Sequence, residues 1–90
     1  MTKDKGAVEQ LLKTARGQLD GVLRMIEEDR YCIDVSNQLL AVQALLRKAN
    51  KELIASHLNC CVRSAFTYGS EAEQEQKLEE IMMILDKMAK

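Results

Sequence analysis

An all-α protein of three helices, the middle one long, is predicted by three features of the chain. It has no proline, only 3% aromatic residues, and a 47% hydrophobic share dominated by Leu, Ile, Val, Ala and Met, a composition suited to packed helices rather than to a sheet. Its apolar positions recur at helical spacing over three stretches. A charged run and a Tyr-Gly-Ser sequence separate those stretches. Ninety residues make one domain, 1–90, whose core is limited because a short chain buries a smaller fraction of its surface than a long one, so oligomerisation is expected.

Helix one is predicted over 7–28, where Val8, Leu11, Leu12, Ala15, Leu19, Val22, Leu23 and Ile26 follow helical spacing. Gly17 and Gly21 each cost up to about 1 kcal/mol against alanine inside a helix and are expected to mark a close approach by another backbone. Glu27-Glu28-Asp29-Arg30 is the expected break. Helix two is predicted over 32–66 through Val35, Leu39, Val42, Leu46, Ala49, Leu53 and His57, a stripe alternating steps of three and four. Such a stripe on so long a helix points to coiled-coil-like packing against another copy. Gly69 supplies the stop, by tolerance of the left-handed conformation that commonly ends helices. Ser70-Glu71-Ala72-Glu73 fits a capping box, with the serine hydroxyl and the Glu73 carboxylate satisfying amides at the start of helix three. Helix three, over 71–89, places Leu78, Ile81, Met82, Leu85 and Met88 on one face and crowds its acidic residues into its first half, where the helix dipole favours them.

Charge and targeting signals narrow the function classes. Residues 1–65 carry ten Lys/Arg against eight Asp/Glu and residues 66–90 three against six, giving a net charge of −1. With no global basic field, nucleic-acid binding has to come from a local patch multiplied by assembly. Lys13, Arg16 and Arg24 on helix one and Arg47, Lys48 and Lys51 on helix two are the basic residues available. On most helices such residues are only a solvated face, and neither a helix-turn-helix nor a zinc-finger spacing is present. Binding to DNA through them would be mostly phosphate contact and steeply salt-sensitive. Thr2-Lys3-Asp4-Lys5-Gly6 is polar, no signal peptide is apparent, and no apolar run approaches the roughly 20 residues that span a bilayer, so a cytoplasmic protein is expected.

The chemistry concentrates in three cysteines and one histidine. Each taken alone is as well explained by packing, since a free cysteine behaves as a small hydrophobe. Together they form a pattern. His57 and Cys61, at i and i+4, lie one above the other on a helix, close enough for one ion to bridge them, and Cys60, at i+3, faces the same side. Spacing does not decide which of these adjacent cysteines is the ligand. Cys32 opens helix two, where the dipole favours its thiolate, but 25 residues of unbroken helix would hold it about 38 Å from His57. One chain cannot then close the site, and Cys32 would have to come from an antiparallel partner copy. Two thiolates and an imidazole suit Cu(I), which accepts three ligands, better than Zn(II), which usually takes four; Cys60 as a fourth ligand would make zinc credible. No acid–base pair with catalytic geometry is visible, which argues against an enzyme.

Thr14-Ala15-Arg16-Gly17-Gln18-Leu19-Asp20-Gly21, Arg24-Met25, Tyr31-Cys32-Ile33-Asp34-Val35, Ala41-Val42-Gln43, Lys48-Ala49-Asn50 and His57-Leu58 with Cys61 resemble the copper-sensitive operon repressor family, CsoR, over about residues 7–65 and more loosely beyond. The resemblance implies an all-α antiparallel dimer that pairs into a dimer of dimers. It implies a Cu(I) site made by Cys32 of one subunit with His57 and Cys61 of another, leaving Cys60 as an extra thiol. It further implies a homotetrameric repressor that leaves its operator DNA when copper binds. Among related sensors, those for nickel and cobalt carry a histidine near the amino terminus, where this chain has Thr2-Lys3, and those for formaldehyde carry a proline at the position of Thr2. Persulfide sensors keep the two cysteines without the histidine; Cys60 beside Cys61 makes a thiol redox sensor of the same fold the alternative.

The family pattern and this chain differ at three positions. Leu11 and Lys48 stand where the family commonly has arginine, and a lysine makes no bidentate phosphate contact. Ungapped alignment puts Lys77 where the family has a glutamate that hydrogen-bonds with a tyrosine, here Tyr31, and with the ligand histidine. An ammonium is donor-only and cannot accept the imidazole N–H; Glu73 or Glu80 could substitute if the preceding loop shifts. A copper-binding tetramer with altered or lost coupling to DNA is therefore a further alternative.

Overall fold

The computed structural model describes residues 5–89, and Thr2-Lys3-Asp4 lies outside them. Helix α1 (Lys5–Glu27) and helix α2 (Cys32–His57) form an antiparallel hairpin. A π-helical turn, Leu58–Val62, and α3 (Arg63–Tyr68) extend α2 without interruption, and α4 (Glu71–Met88) follows. The three predicted helices are therefore present, with helix one starting two residues earlier and helix two carrying a π turn that an i, i+3/i+4 pattern does not reveal.

Each boundary has a local cause. At the α1 terminus Asp29 takes φ 53°, and its N–H donates to Ile26 O (3.1 Å) while Arg30 N–H donates to Met25 O (2.9 Å). These two bonds satisfy the helix's last carbonyls as a Schellman motif does, with aspartate in the left-handed position. Gly69 ends α3 differently from the sequence expectation: it is extended (φ −84°, ψ 165°), not left-handed. Glycine is needed there for space, because a Cβ would sit 2.5 Å from Ala65 O and 2.8 Å from Glu73 Oε2. Ser70 then caps α4, its Oγ accepting from Glu73 N–H at 3.2 Å.

The hairpin core repeats every seven residues. Val8, Ala15 and Val22 on α1 and Val42, Ala49 and Ser56 on α2 are buried, with Val35 and Leu45 packed against them. Most of the other apolar members face outward: Leu12, Leu19, Leu23 and Ile26 on α1, and Leu39 (40% exposed) and Leu46 (47%) on α2, while Leu11 and Leu53 are half-buried. The stripe read from the sequence is thus split: Val42 and Ala49 are turned inward, Leu39 and Leu46 are left open, and Val35 and Leu53 are half-buried. Gly17 has nothing within 4 Å and Gly21 only the Arg24 guanidinium at 3.7 Å, so no backbone of the same chain approaches either.

The molecule measures 57 × 27 × 13 Å, and 13 Å is little more than the diameter of one helix with its side chains, about 10–12 Å. Its radius of gyration, 17.6 Å, compares with about 12 Å for a compact domain of this length. Its 6996 Å² of accessible surface exceeds the roughly 5,300 Å² of a compact monomer of this mass. A stable domain needs a second layer to cover an apolar face; a single layer of helices leaves that face bare.

Candidate metal centre

The residues predicted as ligands fall at opposite ends of the α2 axis. Cys32 is its first residue and is exposed; His57 is its last and is half-buried; Cys61 is half-buried and Cys60 exposed, both within the π turn. His57 follows Cys32 by 25 positions along unbroken α-helix, which holds them about 38 Å apart. Among the described residues no group of three or more His, Cys, Asp or Glu side chains is gathered for a metal ion. Tyr31, next to Cys32 and 68% exposed, lies at the same remote end.

The π turn carries the histidine end. Arg63 N–H reaches back to Leu58 O, five residues earlier, as well as to Cys60 O. A π turn inserts one residue into the helical count, so Cys60 and Cys61 sit at angular positions that α-helical spacing does not give. Single π turns of this kind occur often at functional sites. At its end and just past it, the buried positions Val62 and Ala65 leave the seven-residue series. Desolvation, followed by the adjacent Cys61, which shares a hydrogen bond with Cys60 and would repel its charge, holds the Cys60 thiol above the ordinary cysteine value. Because Cys60 is exposed, the Cys61 contact carries more weight than desolvation.

Helix α4 runs back along α2 and presents Glu80 to the histidine. Glu80 Oε2 lies 3.7 Å from His57 Nε2 and 3.6 Å from Lys77 Nζ. Both distances exceed a hydrogen bond, so the contacts are electrostatic here and a shift of about 1 Å would close either. Glu80 thus stands beside the imidazole, while Lys77, one turn earlier on α4, meets the same carboxylate oxygen. Between α2 and α4 lies a cleft of about 530 Å³ whose walls include His57, Cys60, Cys61, Glu80, Ile84 and Lys87. A wider groove of about 960 Å³ follows along the same two helices, and Ile84 and Lys87 line it as well. Of the predicted DNA-contacting residues, Arg47, Lys48 and Lys51 line this groove, whereas Lys13 and Arg16 are exposed on α1.

A family model described as the metal-sensitive transcriptional repressor matches residues 4–87. The chain belongs to this family. Relatives include the copper-sensing transcriptional repressor CsoR of Mycobacterium ulcerans, 48% identical over 69 residues, covering 77% of this chain and 59% of the relative. CsoR of Bacillus subtilis is 34% identical over 89 residues, covering 99% of this chain and 85% of the relative. The chain therefore spans about three fifths of the length of the mycobacterial relatives and most of the Bacillus one. Among solved structures, the copper-sensing repressor CsoR with Cu(I) from Geobacillus thermodenitrificans superposes with a TM-score of 0.86 at 38% identity, over 100% of this chain and 92% of that one. As a member of the metal-sensitive repressor family, the chain has the three-helix all-α fold that its sequence predicts. Among the described residues no helix is long and apolar enough to cross a membrane.

Proposed function

We propose that the protein is a cytoplasmic, copper(I)-responsive transcriptional repressor, a homotetramer built from antiparallel dimers, which leaves its operator when the metal binds. The observation that carries the reading is the division of a soft donor set along one rigid helix. Two thiols and an imidazole match the ligand preference of Cu(I), yet Cys32 cannot meet His57 and Cys61 of its own chain. An antiparallel second copy brings Cys32 of one subunit to His57 and Cys61 of the other. The bare apolar stripe of Leu12, Leu19, Leu39 and Leu46 supplies the contact that such a pairing requires, and the copper-sensing relatives support the choice of metal.

The chain's own side chains supply the coupling. His57 turns Nε2 toward Glu80, which leaves Nδ1 for coordination, and a closer approach would make the carboxylate the acceptor that orients the ring. Tyr31 accompanies Cys32 to the partner's histidine. Lys77 competes with His57 for Glu80, so that a closer His57–Glu80 contact weakens the Lys77 one and shifts α4 against α2. Lys13, Arg16, Arg47, Lys48 and Lys51 hold operator phosphates in the apo assembly. A metal-linked change of about 1–3 kcal/mol in operator affinity is typical of such coupling.

Mobility shifts on the protein's upstream region, with and without Cu(I), test the function; retention of the operator at saturating Cu(I) argues against it. Metal-edge spectroscopy of the anaerobic complex is expected to give three-coordinate Cu(I), lost on Cys32→Ala. The exposure of Cys60 beside Cys61 favours a second reading, a persulfide or thiol sensor. It requires an intersubunit crosslink from Cys32 to Cys60 or Cys61 after polysulfide treatment, and mass spectra showing only reduced thiols dismiss it.

A further inference from the structure

The groove between α2 and the end of α4 gathers Arg47, Lys48 and Lys51 from one helix and Lys87 from the other. Among the described residues Glu52 is the one acidic residue lining it, so the walls carry a local excess of positive charge in a chain whose net charge is −1. All four basic side chains are exposed, and among the described residues none of them forms an ion pair. Four cations sharing one groove repel one another, and an anion placed among them relieves that repulsion. Arg47 and Lys51 are one helical turn apart and share a face. Lys87 approaches from across the groove, which makes it two-sided.

The position of Lys87 at the end of α4 has an ordinary explanation, since a cation there complements the helix dipole. That explanation concerns α4 alone and does not account for a placement opposite three other cations. Lys87 also stands two turns beyond Glu80, about 10.5 Å along the axis, and lines both this groove and the cleft beside His57.

We propose that Lys87 is a further phosphate-contacting cation of the DNA-binding surface, the fourth of a two-sided groove that it closes with Arg47, Lys48 and Lys51. The inference rests on the repressor reading above. Phosphate contacts position a duplex without reading its bases, so Lys87 contributes equally to operator and to unrelated DNA.

Fluorescence anisotropy of metal-free protein on its own upstream fragment and on an unrelated duplex of the same length, across a range of salt, tests this. For Lys87→Gln the slope of log K against log salt is expected to fall by about 0.9 for each phosphate that is no longer neutralised. Binding to both duplexes weakens by the same factor. Lys87→Arg keeps the wild-type slope, and Lys87→Glu weakens binding further. Circular dichroism and sedimentation of each variant establish that fold and assembly are intact. Wild-type slope and affinity in Lys87→Gln, alongside a reduced slope in Arg47→Gln or Lys51→Gln, overturn the inference and leave the repressor reading standing. Absence of salt-dependent binding by the wild-type protein defeats the repressor reading and the inference with it.

Discussion

Replacing Leu39 and Leu46 together by alanine should separate the subunits while leaving the hairpin folded. Fully burying a leucine side chain contributes about 1.5–3 kcal/mol. Within one chain Leu39 retains 40% and Leu46 47% of its exposure, so covering the remainder in an assembly contributes about 1 kcal/mol at each position. A two-fold interface uses every position twice. The double variant therefore loses about 4 kcal/mol, or about three powers of ten in the dissociation constant. Sedimentation equilibrium over a dilution series reads that shift directly, with helicity from circular dichroism as the control, because the buried Val42, Ala49 and Ser56 and the Val35 packed against them are untouched. A variant that dissociates at the same concentration as the wild type would refute the assignment of this stripe to the interface, as would a wild type that is monomeric throughout.

Three further outcomes are expected. Glu80→Gln removes the carboxylate that faces His57 and lowers Cu(I) affinity by about 10–100-fold, read by competition with a chromophoric chelator; unchanged affinity shows that Glu80 does not orient the ring. Gly69→Ala forces a Cβ to within 2.5 Å of Ala65 O, at a cost of about 1–3 kcal/mol, and each kcal/mol lowers Tm by about 4–8 °C; an unchanged Tm shows that the α3–α4 corner yields freely. The Cys60 thiol is held above the ordinary value, so its thiolate is scarcer near neutrality and its alkylation, followed by mass spectrometry, rises at higher pH than that of a free cysteine; a midpoint at or below the free-thiol value excludes the influence of Cys61.

The helices were legible because their signals are local: seven-residue repeats along α1 and α2, a charged break before Tyr31, and Ser70 three residues ahead of Glu73. The π turn was not, since an extra residue in the helical count leaves the pattern of residue types almost unchanged. The division of the apolar stripe was also hidden. Val42 and Leu46 are equally apolar, and only the packing of α1 decides that one is covered and the other is not. The same holds for Glu80. An ungapped comparison brings Lys77 into register with a family glutamate, and the path of α4 after Gly69 sets which carboxylate arrives beside His57. Gly69 marks a stop that the sequence predicts for a different reason, because a crowded Cβ and a left-handed backbone both select glycine and look alike in a sequence.

The claim that the site is shared between subunits is tested most directly by mixing two defective chains. Cys32→Ala and His57→Ala are each expected to lose tight Cu(I) binding when titrated alone under anaerobic conditions. After denaturation together and refolding, half of the dimers pair one of each, and each such dimer regains one intact site. The mixture should therefore recover about a quarter of the wild-type capacity. A mixture that binds no more than its components, or a Cys32→Ala chain that alone binds Cu(I) as tightly as the wild type, would contradict the account.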